Sequence, residues 1–362
     1  MKKVNSESES SSRLVIPVFI MNSGCPHRCT FCNQTITAGN YPPEITRDYF
    51  DQEVNAYLSW NKDKSRKVEI AFYGGNFTGV NPAYQEKLLT WAYAYVEQKL
   101  VHSIRISTRP DYISESKLRL LKQYGVHTVE IGAQSFVDAV LCQSQRGHTS
   151  QDIENSVDVL KKNGFRTGLH LMVGLPGDTK EGFLCSVEKT IELQPDTARI
   201  HPVMVFSDTA LAEEFKRGIY NPLELPESVE LCALAWEKLS ESGIRIIRMG
   251  LQVTPEMKKT GAILAGPVHP AFGSLVLATV FYKHTVKLLE SLPRDRKEIR
   301  FQLSPRDVSS FRGLNNSNVM AIKKLYPDVH LIIESLNGKS RGEISVQTDT
   351  GEWMNLKISG IQ

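Results

Sequence analysis

Three cysteines lie close together near the start of the chain. Cys25, Cys29 and Cys32 follow one another in the order C-x3-C-x2-C. Thiolates are soft ligands, and three of them in one tight loop suit an iron–sulfur cluster whose fourth iron keeps no protein ligand. An iron with an open position can bind a substrate or a cofactor. The spacing therefore favours an open iron–sulfur cluster.

Two other interpretations of this loop stay open on spacing alone. A structural zinc ion wants four ligands, and His27 would complete such a set only with awkward geometry because it lies two residues from Cys25. The third interpretation is a group of buried thiols without a metal. Six cysteines in 362 residues are too few for a disulfide scaffold, so a cluster of them points to metal binding or catalysis. The other three are isolated on helical patterns typical of core residues: Cys142, Cys185 and Cys232.

Glycine-rich and polar segments follow the predicted strands. In chain order they are Tyr73-Gly74-Gly75-Asn76, Thr108-Arg109-Pro110-Asp111, Gln134-Ser135, Arg146-Gly147-His148-Thr149 and Gly174-Leu175-Pro176-Gly177. Paired glycines at a strand end leave backbone groups open to a ligand. Polar groups at the ends of parallel strands meet at one mouth of a barrel, and an arginine there can hold a carboxylate through two parallel hydrogen bonds. These segments are therefore candidates for ligand contacts.

The elements that must position these residues follow a regular rhythm. Short apolar runs alternate with longer amphipathic stretches, which predicts strand-helix units with parallel strands. The predicted strands are Leu14–Met21, Val68–Tyr73, Ser103–Thr108, Thr128–Ala133, Thr167–Val173 and Ala198–Phe206, and the predicted helices fall at 44–60, 82–99, 114–124, 150–163, 179–193 and 226–242. Right-handed crossovers then favour an α/β fold, an incomplete TIM-like (β/α)6 barrel. A seventh apolar run, Gly243–Met249, is a candidate to extend the sheet.

The rhythm changes after residue 250, which predicts further parts of the chain. We expect a disordered tail at 1–13, the barrel at 14–250, an extension with a helix at 251–295, and a small α+β module at 296–362. The helix of the extension is predicted at Ser274–Leu289. The predicted elements of the module are Ile299–Leu303, Asn318–Leu325, Val329–Ile333, Glu343–Thr348 and Trp353–Ile358.

The composition excludes several classes of protein. With 41% hydrophobic and 23% charged residues, the chain is neither wholly disordered, nor collagen-like, nor a coiled coil. A net charge of +3 neither demands nor forbids a nucleic-acid partner. No stretch approaches the roughly 20 apolar residues of a membrane span, and the N-terminus lacks the apolar core of a signal peptide. We therefore expect a cytoplasmic protein without a membrane partner.

The cysteine loop, with Phe31 directly before the last cysteine, resembles the signature of radical S-adenosylmethionine (SAM) enzymes. The resemblance implies a [4Fe–4S] cluster on the three thiolates, with SAM bound to the fourth iron. It also implies that SAM is cleaved reductively to methionine and a 5'-deoxyadenosyl radical, which abstracts hydrogen from a substrate. A low-potential electron donor of the flavodoxin or ferredoxin type is implied as a partner.

Four further motifs indicate one group within the radical SAM enzymes. Thr-Arg-Pro-Asp, Glu-x-Gly-x-Gln-Ser, Arg-Gly-His-Thr and Gly-Leu-Pro-Gly resemble the radical SAM domain of the Elongator catalytic subunit and its smaller bacterial relatives. His170 and Ser107 stand where porphyrinogen oxidases carry Asp and Glu, which argues against that assignment. The chain after residue 273 does not resemble the Elongator acetyltransferase domain. The residues that we expect to contact SAM are Phe31, Gly74, Gly75, Asn76, Gln134, Ser135, Arg146 and Met172.

The sequence says less about the substrate than about the cofactors. The Elongator resemblance makes tRNA a candidate, while the same radical chemistry on a small metabolite or a protein is an alternative. A non-catalytic iron–sulfur or zinc-binding module is a third hypothesis. In the C-terminal module, the segment from Arg312 to Ser317, followed by Lys323 and Lys324, distantly resembles the backbone-binding loop of KH domains. That segment lacks the second glycine of such loops, so a plain helix-start turn is the favoured interpretation.

Overall fold

The computed structural model describes residues 13–361 apart from 22, 40, 43, 64, 252, 253, 293–296 and 349. Of the predicted tail at 1–13, residues 1–12 lie outside the described residues. Positions 252, 253 and 293–296, at the two ends of the predicted extension, lie outside them as well.

A curled parallel sheet of seven strands forms the larger part of the fold. Its strand order is β1-β2-β3-β4-β5-β6-β8, and every neighbouring pair is parallel. In chain order the strands of the protein are β1 (Leu14–Phe19), β2 (Val68–Tyr73), β3 (Ser103–Thr108), β4 (Val126–Gln134), β5 (Arg166–Val173), β6 (Thr197–Pro202), β7 (Val205–Phe206), β8 (Arg245–Met249), β9 (Ile263–Ala265), β10 (Glu298–Leu303), β11 (His330–Ser335), β12 (Glu343–Gln347) and β13 (Trp353–Lys357). The predicted incomplete TIM-like barrel is confirmed, and the seventh apolar run joins its sheet as β8.

Helices connect the strands and cover the outside of the sheet. They are α1 (Gln34–Ala38), α2 (Arg47–Trp60), α3 (Pro82–Glu97), α4 (Glu115–Gln123), α5 (Asp138–Gln143), α6 (Ser150–Lys162), α7 (Lys180–Leu193), α8 (Ala210–Lys216), α9 (Leu225–Glu241), α10 (Phe272–Glu290), α11 (Val308–Arg312) and α12 (Ser317–Leu325). Side-chain oxygens of Thr46, Asn81, Thr149 and Thr179 accept hydrogen bonds from backbone amides at helix starts, which satisfies donors that would otherwise lack partners. None of the helices within the described part of the chain is long and apolar enough to span a membrane.

The two faces of the barrel strands differ in chemistry. Successive side chains of a strand point to opposite faces. In β3, Ile104 and Ile106 are fully buried in the apolar core, whereas Arg105 between them lines an interior cavity. The apolar face binds the sheet to its helices, because burial of Leu and Ile side chains stabilises by about 1.5–3 kcal/mol each. The inner face of β3 carries the polar side chains Arg105 and Ser107, whereas β1 contributes Val15, Pro17 and Phe19 to the same cavity.

The sixth predicted strand, Ala198–Phe206, was wrong as one element. β6 ends at Pro202, which has no N–H to donate to a neighbouring strand, and the chain then leaves the large sheet. Val205–Phe206 forms β7, which pairs antiparallel with β9 in a separate two-stranded sheet. This small sheet extends the wall of the barrel beyond the carboxyl end of β6.

The C-terminal part forms a four-stranded sheet in the order β11-β10-β12-β13. β10 pairs parallel with β11 and antiparallel with β12, so the sheet is mixed. The long helix α10 contacts α9 of the barrel as well as α11 and α12. The fully buried carboxylate of Asp307 accepts hydrogen bonds from Arg341 Nε at 3.0 Å and from the Gly342 amide at 2.6 Å. The expected α+β module is present, while the boundaries between the predicted parts stay a prediction.

Candidate active site

The cysteine loop lies directly beyond the carboxyl end of β1 and is held from two sides. The Thr30 amide donates to Ser144 O at 3.2 Å, and Asn33 Nδ2 donates to Ser207 O at 2.8 Å. Asn33 also accepts from the Ile36 amide and thereby begins α1. The loop is therefore tied to segments that follow β4 and β7, far away in the sequence.

The three thiols lie near one another and differ in exposure. Cys29 is buried, Cys32 is half-buried and Cys25 is exposed. Burial, with the neighbouring Cys29 as the next cause, raises the pKa of Cys25 and raises that of Cys32 to about 12. The thiolate is the form that binds metals, and a bound metal ion displaces the thiol proton. The thiols of Cys25 and Cys32 are therefore protonated at pH 7, and a metal that binds them would displace those protons.

The arrangement of possible ligands bears on the choice between zinc and an iron–sulfur cluster. Among the described residues, no three His, Cys, Asp or Glu side chains converge on the position of one metal ion. A mononuclear zinc site needs such convergence. In a cuboidal cluster each thiolate binds a different iron, so the three cysteines need not converge on one ion.

Arg146 joins the cysteine loop to the fourth strand. Its Nη1 donates to Cys29 Sγ at 3.0 Å and its Nη2 donates to Gly132 O at 2.6 Å. Its Nε is buried and has no hydrogen-bond partner within the described part of the structure. Buried donors are normally satisfied, so a carboxylate bound beside Arg146 would complete its hydrogen bonding. The SAM carboxylate expected from the sequence fits this residue.

The segment after β2 lies against the start of the cysteine loop. A Cβ atom on Gly75 would come within 2.6 Å of Ser23 O, so only glycine fits there. The Asn76 side chain donates to Gly24 O at 2.8 Å and accepts from Thr108 Oγ1 at 2.6 Å and from the Arg109 amide at 3.1 Å. Asn76 therefore joins three loops, and its side chain is fully engaged within the protein.

The end of β4 contains an irregularity that affects Gln134. The register between β4 and β5 shifts between Ile131 and Gln134, and Gln134 has a φ of 72°. Such a left-handed conformation costs a residue other than glycine about 1 kcal/mol, and strain of this kind often marks functional sites. Ser135 instead lies beside Ser186, and its Oγ accepts from the Val137 amide at 3.1 Å.

A cavity of about 1360 Å³ extends from the cysteine loop along the inner face of the barrel. The three cysteines line it together with six of the eight residues predicted to contact SAM, which are Phe31, Gly74, Gly75, Gln134, Arg146 and Met172. Asn76 and Ser135 are not part of this wall. The structure thus brings most of the predicted site into one cavity, and direct SAM contacts of all eight residues stay a prediction.

A buried group of charged residues lies further inside the barrel. Glu130 is fully buried, and it accepts hydrogen bonds from Arg105, from Arg199 at 3.0 Å and from His170 Nε2 at 2.6 Å. Burial opposes ionisation of Glu130, but these partners outweigh it and lower its pKa. Burial lowers the pKa of His170, and it lowers that of the adjacent His201 to about 3. Both imidazoles are therefore neutral at pH 7.

The sequence-based reasoning gave no role to these mid-strand charges. A signal was present, because Arg105, Glu130 and Arg199 each interrupt an otherwise apolar strand. A charged residue in such a position is rarely buried without a partner. Which charges would pair across strands depended on the register, which the sequence pattern did not specify.

The sequence of this chain is similar to known protein families and to individual proteins. The model of the Radical SAM superfamily matches residues 19–189, and that of the Radical_SAM C-terminal domain matches residues 195–280. Among curated proteins, the tRNA uridine(34) acetyltransferase of Methanocaldococcus jannaschii is 26% identical over 261 residues, which are 61% of this chain and 48% of that protein. The Elongator complex protein 3 of Homo sapiens is 29% identical over 187 residues, or 46% of this chain and 34% of the relative.

A different relative matches over a greater length. The heme chaperone HemW of Lactococcus lactis is 22% identical over 334 residues, 88% of this chain and 86% of HemW. The solved structure of the archaeal Methanocaldococcus infernus Elp3 with an N-terminal deletion has a TM-score of 0.57 and 24% identity, and covers 76% of this chain and 63% of that one. That likeness concerns the fold. The chain spans about half the length of the tRNA uridine(34) acetyltransferase of M. jannaschii.

Proposed function

Since the chain belongs to the radical SAM superfamily and is an enzyme of that group, we propose that Cys25, Cys29 and Cys32 hold a [4Fe–4S] cluster and that SAM binds in the adjoining cavity. When bound, the cluster and SAM supply a 5'-deoxyadenosyl radical that abstracts hydrogen from the substrate. The observation that carries the proposal is the cysteine loop opening into a cavity lined by six of the predicted SAM contacts.

The protein's own residues position the reactants. Arg146 binds the SAM carboxylate with the donor that has no partner inside the described protein. The backbone at Gly74 and Gly75 receives the amino group, because no side chain shields it. Gln134 contributes an amide at the same wall, and Phe31 and Met172 pack against one apolar cluster that shields the site from water. Catalysis by these residues is positioning in a shielded site, since the cofactor supplies the reactive group.

Replacement of the cysteines tests this proposal. Cys25→Ala, Cys29→Ala or Cys32→Ala should each abolish formation of 5'-deoxyadenosine after anaerobic reconstitution and reduction, because three thiolates are needed to hold the cluster. The matched control is Cys185→Ala, which removes an exposed thiol on α7 and should retain both the brown colour and the activity. Continued cleavage of SAM by a loop variant, or zinc in place of iron in the native protein, would contradict the proposal.

We further propose tRNA as the substrate, with a flavodoxin or ferredoxin as the electron donor. Support comes from relatives whose names describe action on tRNA uridine 34. Acetyl transfer is not part of the proposal, because the match covers only 48% of the M. jannaschii protein. Transfer of deuterium from deuterated tRNA into 5'-deoxyadenosine tests the substrate. Transfer from a small-metabolite fraction alone would exclude tRNA and leave the radical chemistry standing.

A further inference from the structure

The part of the cavity beyond the cysteine loop is strongly cationic. Arg28, Arg109 and Arg146 line its upper end beside the cysteines. Six more arginines line the remainder, namely Arg13, Arg105, Arg166, Arg199, Arg245 and Arg248. No aspartate or glutamate lines the cavity within the described ranges. A wall of one sign concentrates ligands of the opposite sign.

We call these six arginines the arginine seat. Five of them precede their strand or lie in its first half, and Arg248, the fourth of the five residues of β8, lies level with Arg199. Arg166 and Arg245 are the first residues of β5 and β8, and Arg13 directly precedes β1. Arg199 of β6 is the register partner of Arg248 on β8. Because the strands are parallel, the arginine seat lies away from the cysteine loop at their carboxyl ends. The two ends of the cavity can therefore hold different groups.

Carboxylates behind the wall balance only part of this positive charge. Glu69 and Glu130 are fully buried, and Arg105 forms ion pairs with both. Arg13 shares Glu69 at 2.9 Å, and Arg199 shares Glu130 at 3.0 Å. Arg166 Nε lies 3.6 Å from Asp196 Oδ1. Three carboxylates are thus divided among four guanidinium groups, and the six arginines of the wall outnumber these carboxylates.

Arg248 lies close to another cation of the same wall, Arg199. Burial, followed by the like charge of Arg199, lowers its pKa, so its charged form is disfavoured by the protein around it. An anion in the cavity would relieve both effects, because opposite charge stabilises a partly desolvated cation. Arginine is also suited to bind planar or tetrahedral oxyanions through paired N–H donors.

We propose that the arginine seat binds an anionic group of the substrate, a phosphate or a carboxylate. The inference rests on the proposed function, because it identifies the chemistry of the substrate whose hydrogen is abstracted. Aromatic residues of the same cavity offer apolar surface to the remainder of the molecule. Tyr73 is fixed there, since Arg199 Nη2 donates to its hydroxyl at 2.6 Å and the guanidinium lies 5.0 Å from its ring centroid.

Binding of two matched pairs of small molecules tests the arginine seat. Uridine 5'-monophosphate and uridine differ by a phosphate, and glutarate and glutaramide differ by carboxylate charge. Titration calorimetry on the full chain, reconstituted anaerobically and saturated with S-adenosylhomocysteine to occupy the upper end, should give tighter binding of a charged probe than of its neutral partner. The difference should shrink with added salt, since exposed charges are screened.

Arginine variants test where in the protein the charged probe binds. Arg245→Gln combined with Arg248→Gln should weaken the charged probe about tenfold, because each charge-assisted hydrogen bond is lost at that end. Arg217→Gln, which removes an exposed charge beyond α8, should leave the affinity unchanged. A preference for the monophosphate identifies a phosphate-bearing substrate, and a preference for glutarate identifies a carboxylate.

Two results would overturn the inference. One is equal affinity of the charged and neutral probes for the native protein, and the other is native affinity in the double arginine variant. Formation of 5'-deoxyadenosine by the same native preparation is measured separately. If anion binding is intact while SAM cleavage is absent, the proposed function fails and the arginine seat stands. If SAM is cleaved and no anion binds, the arginine seat fails alone.

Discussion

Arg146 contacts the cysteine loop and also lines the cavity. Because its Nη atoms are bound to Cys29 and Gly132, its orientation is fixed before a ligand arrives. Arg146→Gln should weaken SAM binding about tenfold, since a charge-assisted contact to the carboxylate is lost. Arg146→Lys should give an intermediate affinity, because it keeps the charge without the planar fork.

Equilibrium binding of SAM to the reconstituted protein measures the effect of Arg146, and iron content serves as the control. Loss of iron together with affinity would assign Arg146 to the cluster instead of the carboxylate. Native SAM affinity in Arg146→Gln would remove the residue from the SAM site altogether.

Ionisation of Asp178, in the turn after β5, should make the stability of the protein depend on pH. Burial raises its pKa to about 6, although the Thr179 amide donates to its Oδ1 at 2.9 Å. The unfolded chain releases this proton near pH ~4, so the folded state binds more protons between about pH 4 and 6 and stability falls as pH rises through that window. Asp178→Asn should therefore be more stable than the native protein above pH ~6, by about 1 kcal/mol after allowing for partial exposure.

Urea unfolding of both proteins at about pH 4.5 and pH 7.5 checks the Asp178 prediction. The advantage of the asparagine variant should be present at the higher pH and largely lost at the lower one. The same difference at both values would mean that ionisation of Asp178 does not govern it.

At the scale of elements, the sequence pattern predicted the repeating strands and long helices. It missed short helices that depend on contacts between residues far apart in the chain. β2 and β3 have the bounds expected, because apolar runs flanked by turns specify buried strands. The short helices α1, α5, α8 and α11 were not predicted. α1, for example, begins at Asn33, which is fixed by a hydrogen bond to Ser207 from another part of the chain. No local pattern records such a contact.

For the candidate site as well, local motifs were predicted and contacts between distant residues were missed. The cysteine spacing and the glycine-rich turns predicted which loops would meet, because parallel strands place their carboxyl ends at one edge. The engagement of Asn76 with Gly24, Thr108 and Arg109 was not foreseen, since it follows from the packing of three loops. The arginine seat was missed for a related reason, as Arg105 and Arg199 converge only through the sheet register.

Gly147, in the loop after α5, packs closely against His27 of the cysteine loop. Its φ is +68°, and a methyl group there would overlap the His27 ring. Gly147→Ala should therefore shift the cysteine loop and lower the amount of cluster retained. Gly218→Ala is the matched control, because Gly218 has a φ of +70° and open space around it.

Both alanine variants at these glycines should lose about 1 kcal/mol of stability from the left-handed backbone. Only Gly147→Ala should lose iron, as measured by iron content and visible absorbance after anaerobic reconstitution. Equal iron content in the two variants would show that the contact with His27 does not position the cysteines.

At the scale of the whole molecule, charge is unevenly distributed along one path. Arginines line both ends of the cavity, Arg28, Arg109 and Arg146 beside the cysteines and six more in the arginine seat. If SAM occupies the upper end and its carboxylate binds Arg146, as proposed, the arginine seat is the cationic surface left for an anionic substrate, whose charged end would then lie away from the cysteines. Its uncharged part would then lie nearer to the SAM site, where hydrogen is abstracted.

The C-terminal module packs on the barrel through α10, which contacts both α9 of the barrel and the module helices α11 and α12. The loop before α12 contains Asn315 and Asn316 with φ of 51° and 60°. The sequence favours a plain helix-start turn here, with a KH-like loop as the alternative, and the basic residues that follow provide the means to test that alternative.

Lys323 and Lys324 are exposed in the last turn of α12. If tRNA lies against the module, Lys323→Gln combined with Lys324→Gln should weaken binding and reduce the slope of log affinity against log salt by about 1.4–1.8, because two phosphate contacts are lost. Lys161→Gln combined with Lys162→Gln is the matched control, since these lysines occupy the exposed last turn of α6. Fluorescence anisotropy with labelled tRNA over a salt series measures both slopes. Equal slopes in the two double variants would show that Lys323 and Lys324 do not contact tRNA phosphates.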